Sequence, residues 1–315
     1  MPIDVDSETG DQLRKDYKVG NTYPVFILAS SDAKVIYRWT GYTGSATFIS
    51  SLNKAKSETI TVEDRKARFK VKPIINDAVF MAQYSADAGD YLDAVSYYRK
   101  ADSLTSGAQD YSYEIFKNMA NAIWTDQAKF SRILPAADAV LNAKRPNSAS
   151  VIGTARIISR LAQKKGQTNK IAKYIQAGIN AAEKSRNSKD AENLAILKAD
   201  YKLYADLDTL GAVKLRKESL GSGWSTKPEK FYDFAKWCAE RKIDLDEAEP
   251  YARKAAKLAL DGEFKGQVLN TLAEICYAQG KTDEAISLME QAMQQDPKQE
   301  TYLERFLQYK KESGK

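Results

Sequence analysis

The chain has 315 residues, of which 43% are hydrophobic and 29% charged, with a net charge of +6, two cysteines and no histidine. Its length is enough for two domains with sizeable cores. The lack of histidine excludes Ser-His-Asp and Cys-His nucleophiles, imidazole proton transfer and histidine-ligated metals. No apolar run approaches the roughly 20 residues that span a bilayer, so we predict no membrane span. We also predict no cofactor and no metal.

The first 57 residues alternate between strand-like and helix-like patterns. Short β-branched or aromatic runs predict strands at residues 3–6, 25–28 and 35–39. Apolar residues at helical spacing predict one helix from Glu8 to Val19 and another through Phe48 and Ala55. Residues 31–34 have the composition of a tight turn. The pattern therefore predicts a small α/β segment.

This order of elements, with the pair Tyr23-Pro24 opening a strand, resembles the second half of the thioredoxin fold. The resemblance implies that Pro24 is the cis-proline and that Tyr23 and Pro24 form the edge that faces the redox cysteines. Two features depart from the family. Val25 follows the proline where threonine is usual, and the segment contains no Cys-x-x-Cys. Disulfide exchange needs an attacking thiolate, so we predict a redox-inactive remnant.

The start of the chain leaves two alternatives for compartment and activity. As written, the chain carries no secretory signal, and we expect it in the cytoplasm. If Met1 is a late start in a longer reading frame, the preceding residues would hold a signal and the redox strand. The intact protein would then be periplasmic or exported, and the chain would be a fragment of a thiol-disulfide oxidoreductase.

Residues 266–297 show two helical patterns joined at Gly280 and ended by Pro297. Small residues at Ala273 and Ala285 allow two antiparallel helices to approach closely. This pattern resembles the tetratricopeptide repeat, a helix-turn-helix unit of about 34 residues. Similar patterns occur at residues 75–106 and 231–262. Each unit has an apolar face that only a neighbour can cover, so we predict a mainly α fold, a tetratricopeptide-like α-solenoid following the α/β segment.

The remaining residues predict further helices without the repeat's usual glycine and alanine positions. The candidates lie at residues 110–127, 130–144, 148–165, 168–185, 189–207 and 209–219, and Pro135 is expected to bend the second or move its start. Residues 299–312 predict a capping helix, and Thr61 is a candidate N-cap for a connecting helix. We therefore predict three parts: a thioredoxin-like segment (1–57), a connecting helix (58–72) and a repeat domain (73–315).

The resemblance to tetratricopeptide repeats implies that ligands contact the first helix of each repeat. In the best repeat, the corresponding positions are Gln267, Asn270, Glu274 and Tyr277, which can all hydrogen-bond to an extended peptide. The Lys and Asn residues that clamp a terminal carboxylate in that family are not reproduced there.

The two cysteines occupy nearly equivalent places in adjacent repeats. Packed helix axes lie about 8 to 10 Å apart, whereas a disulfide needs Cα atoms within about 7 Å. We interpret Cys238 and Cys276 as small buried apolar residues, with a redox pair or incidental exposed thiols as the alternatives.

Positive charge is concentrated between Asn142 and Lys189, where eleven basic residues accompany one acid, Glu183. The candidate basic patch comprises Arg156, Arg160, Lys164, Lys165, Lys170 and Lys173, the first three at four-residue steps on one helix face. Three interpretations remain: a solvated helix face, a site for an acidic protein segment, or a nucleic-acid site. Nucleic acid is the least favoured, because no aromatic interleaving accompanies the charge.

These observations favour a non-enzymatic module that binds a protein or peptide, with an acidic partner as one option. The alternative is the oxidoreductase fragment described above.

Overall fold

The computed structural model describes residues 7–19, 24–144, 146–220 and 226–314. Internal packing divides the chain into two compact units, Met1–Leu161 and Ala162–Lys315. The strand predicted at residues 3–6 lies outside the described residues. The domain boundaries at residues 57 and 72 stay predictions.

The N-terminal elements follow the predicted order of helix, two strands and two helices. They are α1 (Glu8–Asp16), β1 (Val25–Ala29), β2 (Val35–Thr40), α2 (Ser45–Ser57) and α3 (Val62–Val71).

Helices then follow one another to the end of the chain. They are α4 (Ile75–Asp87), α5 (Tyr91–Leu104), α6 (Ser112–Trp124), α7 (Ile133–Leu141), α8 (Ser148–Lys164), α9 (Ala172–Glu183), α10 (Ser188–Tyr204), α11 (Thr209–Glu218), α12 (Pro228–Arg241), α13 (Leu245–Leu258), α14 (Glu263–Ala278), α15 (Thr282–Gln295) and α16 (Glu300–Glu312). The predicted fold class, mainly α and tetratricopeptide-like with a small N-terminal α/β segment, is confirmed.

The strands β1 and β2 form an antiparallel hairpin, with Phe26 opposite Trp39. The two rings stack with centroids 4.9 Å apart, which is a stabilising cross-strand pair. On the same face, the ring of Tyr37 meets Phe80 of α4 at 5.8 Å, edge to face. Buried Met81 belongs to the same cluster. The hairpin is thus held on the first repeat by aromatic packing.

The connecting helix begins as predicted at Thr61. The Thr61 hydroxyl oxygen accepts a hydrogen bond from the backbone N–H of Asp64 at 3.1 Å and so satisfies one of the unpaired donors of the first turn. Acidic residues in that turn, Glu63 and Asp64, also favour the start of a helix.

The predicted repeats are pairs of packed helices, α4 with α5, α12 with α13, and α14 with α15. Gly89 and Gly280 turn the chain in the first and last pair, each with φ of +79°. In the middle pair, Lys242 and Asp244 adopt positive φ instead, at 53° and 45°. The repeat at residues 231–262 therefore keeps the hairpin although its sequence lacks the turn glycine.

Two of the predicted helices begin with a tighter turn. Residues 130–132 form a 3-10 turn before α7, so Pro135 falls in the first turn of α7, where its missing N–H costs no helical hydrogen bond. Residues 168–170 likewise form a 3-10 turn before α9. These predicted helices exist, but each α-helix starts three or four residues late.

The core of the second unit is built from the predicted small and apolar positions. Ala273 and Ala285 have no exposed surface, and Leu272 is 2% exposed. The small side chains let α14 and α15 pack closely, as the sequence pattern predicts. None of the helices in the described part of the chain is both long and apolar enough to cross a bilayer.

Candidate functional site

A cavity of about 530 Å³ lies between α6 and α8 in the first unit. The α6 wall carries Lys117, Asn121 and Trp124, which are spaced four and three residues apart and therefore share one helix face. All three are exposed, and Trp124 retains 44% of its surface. An exposed indole beside a cation and an amide is a typical arrangement for contact with another molecule.

The α8 wall carries Arg156 and Arg160, four residues apart, together with Ile157 and Leu161. The Arg160 guanidinium lies 5.9 Å from the centre of the Trp124 ring. With Lys117, three cations line the cavity, and its lining includes no acidic residue. The apolar part of the lining comes from aliphatic and aromatic side chains on both helices. The cavity is therefore positively charged with partly apolar walls.

Gly153 of α8 lies against the side chain of Tyr113 of α6 and also lines the cavity. A Cβ atom at this position would lie 2.2 Å from the Tyr113 hydroxyl oxygen of α6. The Tyr113 ring stacks on Phe116 with centroids 6.3 Å apart, and the Lys117 ammonium lies 5.0 Å from the Tyr113 ring. Tyr113 thus occupies the space beside Gly153 and contacts Lys117, which also pairs with Glu114 at 3.7 Å.

Only some residues of the basic patch predicted from the sequence line the cavity. Arg156 and Arg160 line it, whereas the lining does not include Lys164, Lys165, Lys170 or Lys173. Lys170 lies in the 3-10 turn before α9 and donates a hydrogen bond to Gln167 at 3.1 Å. Lys173 lies in α9 over the ring of Tyr174, at 4.8 Å.

Sequence reasoning missed the α6 side of the cavity. The sequence does contain a signal there, because a cation, an amide and an indole share one helix face at Lys117, Asn121 and Trp124. That signal indicates a site only when α8 is known to pack beside α6.

The residues predicted to contact a peptide in the last repeat lie against the capping helix. The Arg305 guanidinium of α16 donates to the Asn270 side-chain oxygen at 2.7 Å and pairs with Glu274. Tyr277 stacks on Tyr309 with ring centroids 4.0 Å apart.

The hydroxyl of Tyr277 also bonds the Glu312 carboxylate. Gln267, the fourth predicted residue, donates to Glu263 of its own helix at 3.1 Å. Peptide contact through these four residues stays a prediction, and three of them already have partners on α16.

The predicted thioredoxin-like edge is described only in part. Tyr23 lies outside the described residues. The carbonyl of Pro24 accepts a hydrogen bond from the Gly41 N–H at 2.8 Å, which closes the open end of the β1–β2 hairpin. A role for this edge in redox contact stays a prediction.

Both cysteines are free and fully buried, which confirms their interpretation as small core residues. Burial raises the pKa of Cys238 to about 12 and that of Cys276 to about 11. A thiol with such a pKa is almost wholly protonated near neutral pH and is a poor nucleophile.

Cys276 lies beside two carboxylates, Glu249 and Glu284, whose oxygens and the thiol sulfur are within 4.8 Å of one another. Both carboxylates are already paired with cations. Arg253 bridges Glu249 and Glu284 at 2.7 and 2.6 Å, and Lys281 holds Glu249 at 2.6 Å. The cluster is thus an ion-pair network between repeats.

Three comparisons relate the chain to known proteins. Among solved structures, it aligns with YrrB, described as a TPR protein with an unusual peptide-binding site, at 11% identity and a TM-score of 0.31, over 78% of this chain and 98% of that one. It aligns with BtubC from P. vanneervenii at 13% identity and a TM-score of 0.36, over 80% and 91% of the two chains.

A third alignment is to the TPR2AB domain of yeast Sti1 in complex with pHSP90, at 16% identity and a TM-score of 0.31, over 76% of this chain and 98% of that one. No curated protein matches the chain. One segment does match a family: residues 266–299, which include most of α14 and all of α15, match the tetratricopeptide repeat.

Proposed function

We propose that the chain is a non-enzymatic interaction module that binds an acidic segment of a partner protein in the cavity between α6 and α8. The observation that carries this proposal is the convergence of Lys117, Arg156 and Arg160 on one cavity whose lining includes no acid. Guanidinium groups bind carboxylates through paired, charge-assisted hydrogen bonds, and two arginines on one helix face offer two such groups.

The shape of the cavity favours a protein ligand. A volume of about 530 Å³ holds a few side chains, and Trp124, Ile157 and Leu161 give it an apolar part. An acidic residue next to an apolar or aromatic one would satisfy both halves of the site. Nucleic acids are instead gripped by cations that follow several phosphates along the backbone, with aromatic rings for stacked bases.

The N-terminal hairpin is part of the same proposal, as a redox-inactive thioredoxin-like remnant that serves as a packing unit. Its support is the contact between Tyr37 and Phe80, which seats the hairpin on α4. The chain's two cysteines, at positions 238 and 276, lie outside this segment. An insulin-reduction assay tests the absence of redox chemistry, and turnover by the purified chain would favour the oxidoreductase alternative.

The binding proposal can be tested with a positional-scanning library of octapeptides. Acidic residues next to apolar ones should be selected, and the best peptide is then labelled and titrated by fluorescence anisotropy. Arg156→Glu and Arg160→Glu should each weaken binding by about tenfold or more, because a charge-assisted pair is replaced by repulsion.

Arg132→Glu is the matched control, because Arg132 is an exposed arginine of the same unit that does not line the cavity. It changes the net charge equally and should leave the affinity nearly unchanged. Equal losses in all three variants would mean that binding follows overall charge. Selection of peptides without acidic residues would refute the proposal, and a single-stranded oligonucleotide that displaces the best peptide would indicate a nucleic-acid site.

A further inference from the structure

A second cavity, of about 330 Å³, adjoins the first one along α6. Lys117 and Asn121 line both cavities, so a segment bound between α6 and α8 would continue into this one. The second cavity is bounded by β2, α4, α5 and α6, and its polar lining includes Arg38 and Asp87. These two groups determine which ligand chemistry the cavity suits.

Arg38 is a buried hydrogen-bond donor with one N–H group unpaired in the part of the chain that the structure describes. The residue is only 4% exposed. The two terminal nitrogens donate to the carbonyls of Tyr17 and Lys18, at 2.9 and 3.1 Å. Within the described chain, its Nε–H has no hydrogen-bond partner. A buried donor without a partner costs about 1 to 3 kcal/mol, and a bound acceptor would remove that cost.

Asp87 is an acceptor in the same cavity. Among the described residues, its carboxylate forms no ion pair and accepts no hydrogen bond. Burial raises its pKa to about 6, and the nearby charge of Arg38 only partly opposes this effect. The other titratable groups that line the cavity are Tyr37 of β2, Tyr84 of α4, Tyr98 of α5 and Lys117 of α6. A ligand N–H group would give the Asp87 carboxylate the donor that it lacks.

We propose that this second cavity is a subsite for a carboxamide, the side chain of an Asn or Gln residue in the same acidic segment. A carboxamide carries one acceptor for Arg38 and two donors for Asp87 and bears no charge. A carboxylate would be attracted by Arg38 and Lys117, but it has no donor for Asp87 and is repelled by that group. An ammonium group has no acceptor for Arg38 and is repelled by Arg38 and Lys117. The inference rests on the proposed function for its statement that the amide belongs to a bound protein segment.

The ligand chemistry can be tested with three small probes that differ only at the side chain: the N-acetyl methylamides of glutamine, glutamate and lysine. Binding is followed by NMR at the Nε–H resonance of Arg38 in the full chain. At about pH 8, the glutamine probe should shift this resonance and bind about tenfold more tightly than the other two. Equal or tighter binding of the glutamate probe at this pH, or no shift with any probe, would overturn the proposal.

The role of Asp87 gives a second measurement. Below about pH 6 the carboxyl is protonated and no longer repels an anion, so the glutamate probe should approach the affinity of the glutamine probe. In Asp87→Asn, the glutamate and glutamine probes should bind with similar affinity already at about pH 8. Their relative affinity should no longer depend on pH. Asp93→Asn, an exposed residue of α5 outside the cavity lining, is the control and should retain the wild-type discrimination. Unchanged discrimination in Asp87→Asn would refute the assignment.

The two proposals fail separately. Arg156→Glu should weaken binding of the acidic octapeptide by about tenfold or more and leave the glutamine probe unaffected. If octapeptides do not bind but the glutamine probe does, the proposed function and the assignment of the amide to a protein segment are both wrong. A different result would separate the two proposals: octapeptides bind without a preference for Asn or Gln near the acidic residue, and the glutamine probe does not bind. In that case the carboxamide subsite is wrong and the proposed function stands.

Discussion

Arg241 and Asp200 form a buried ion pair that joins α12 to α10. The Nε and one terminal nitrogen of Arg241 donate to the same carboxylate oxygen of Asp200, at 3.1 and 2.8 Å. The two side chains are 3% and 2% exposed. The indole N–H of Trp237 donates to that oxygen as well, at 3.1 Å. Two charges buried this completely must remain together, because either one alone would be left in the core without a partner.

We expect Arg241→Met to lower the free energy of unfolding by about 3 to 5 kcal/mol, because it leaves the Asp200 carboxylate buried with its charge. The double variant Arg241→Met with Asp200→Leu should recover most of this loss, since no charge then remains. Urea denaturation followed by circular dichroism measures both. A double variant as unstable as the single one would show that the residues act through packing.

Asp77 of α4 anchors the connecting helix. It has no exposed surface and accepts hydrogen bonds from Arg65 at 2.8 Å and from Arg68 at 2.8 and 2.5 Å. Asp77→Ala should cost about 3 kcal/mol in unfolding free energy, because the Arg65 guanidinium, 7% exposed, loses its fully buried partner and keeps only the more exposed Glu58. Arg68→Ala is the matched comparison and should cost less, since that side chain is 42% exposed. Equal losses would contradict this account.

Much of the helical architecture was predictable because its determinants are local. The apolar spacing, Gly280 and the N-cap Thr61 act within a few residues of the chain, and the structure confirms the helices and turns that they predict. The sequence did not predict the turn at Lys242 and Asp244, because both residues adopt positive φ, which is uncommon for residues other than glycine.

The candidate site was predictable only on one side. Arg156 and Arg160 stand out in the sequence because they belong to a cluster of like charge. Their partners across the cavity, Lys117 and Trp124, lie more than thirty residues earlier and look like ordinary exposed positions. Arg38 and Asp87 are farther still, and no local pattern shows that β2 packs on α4. Tertiary contact, which the sequence pattern does not encode locally, creates the site.

The two cysteines should be unreactive in the folded protein. Both are buried, and their pKa values are raised to about 12 and about 11, so the thiolate is scarce at about pH 8. We expect Ellman's reagent to label neither thiol quickly in the native state and both at once in denaturant. Rapid labelling of the native protein would show that the repeat containing the labelled cysteine opens easily. The variants Cys238→Ala and Cys276→Ala would identify which of the two thiols is labelled.

Asp87 should make stability depend on pH in an identifiable window. Its folded pKa is raised to about 6 by burial, whereas the unfolded chain loses the proton near 3.8. Between these values the folded state holds a proton that the unfolded state has lost, so the contribution of Asp87 to stability falls as pH rises. Asp87→Asn should therefore stabilise the protein at about pH 8 and have little effect below about pH 4.

The comparison is made by urea denaturation at several pH values, always as the difference between variant and wild type. Asp93→Asn should show a flat difference across the same range. A stabilisation by Asp87→Asn that is independent of pH would mean that the carboxyl does not titrate in this window.

The capping helix should depend on Tyr309 for its attachment. Tyr309 is 4% exposed and stacks on Tyr277 of the last repeat at 4.0 Å, whereas Leu303 of the same helix is 52% exposed. Tyr309→Ala should lower the unfolding free energy by about 3 to 5 kcal/mol, the usual cost of removing a buried aromatic ring, and Leu303→Ala by less than about 0.5 kcal/mol. Hydrogen exchange should then be faster in α16 for Tyr309→Ala alone, because the ring joins α16 to Tyr277 of α14. If α16 stayed fully protected in that variant, its attachment would come from its other contacts, the buried ring of Tyr302 and the pairing of Arg305 with Glu274.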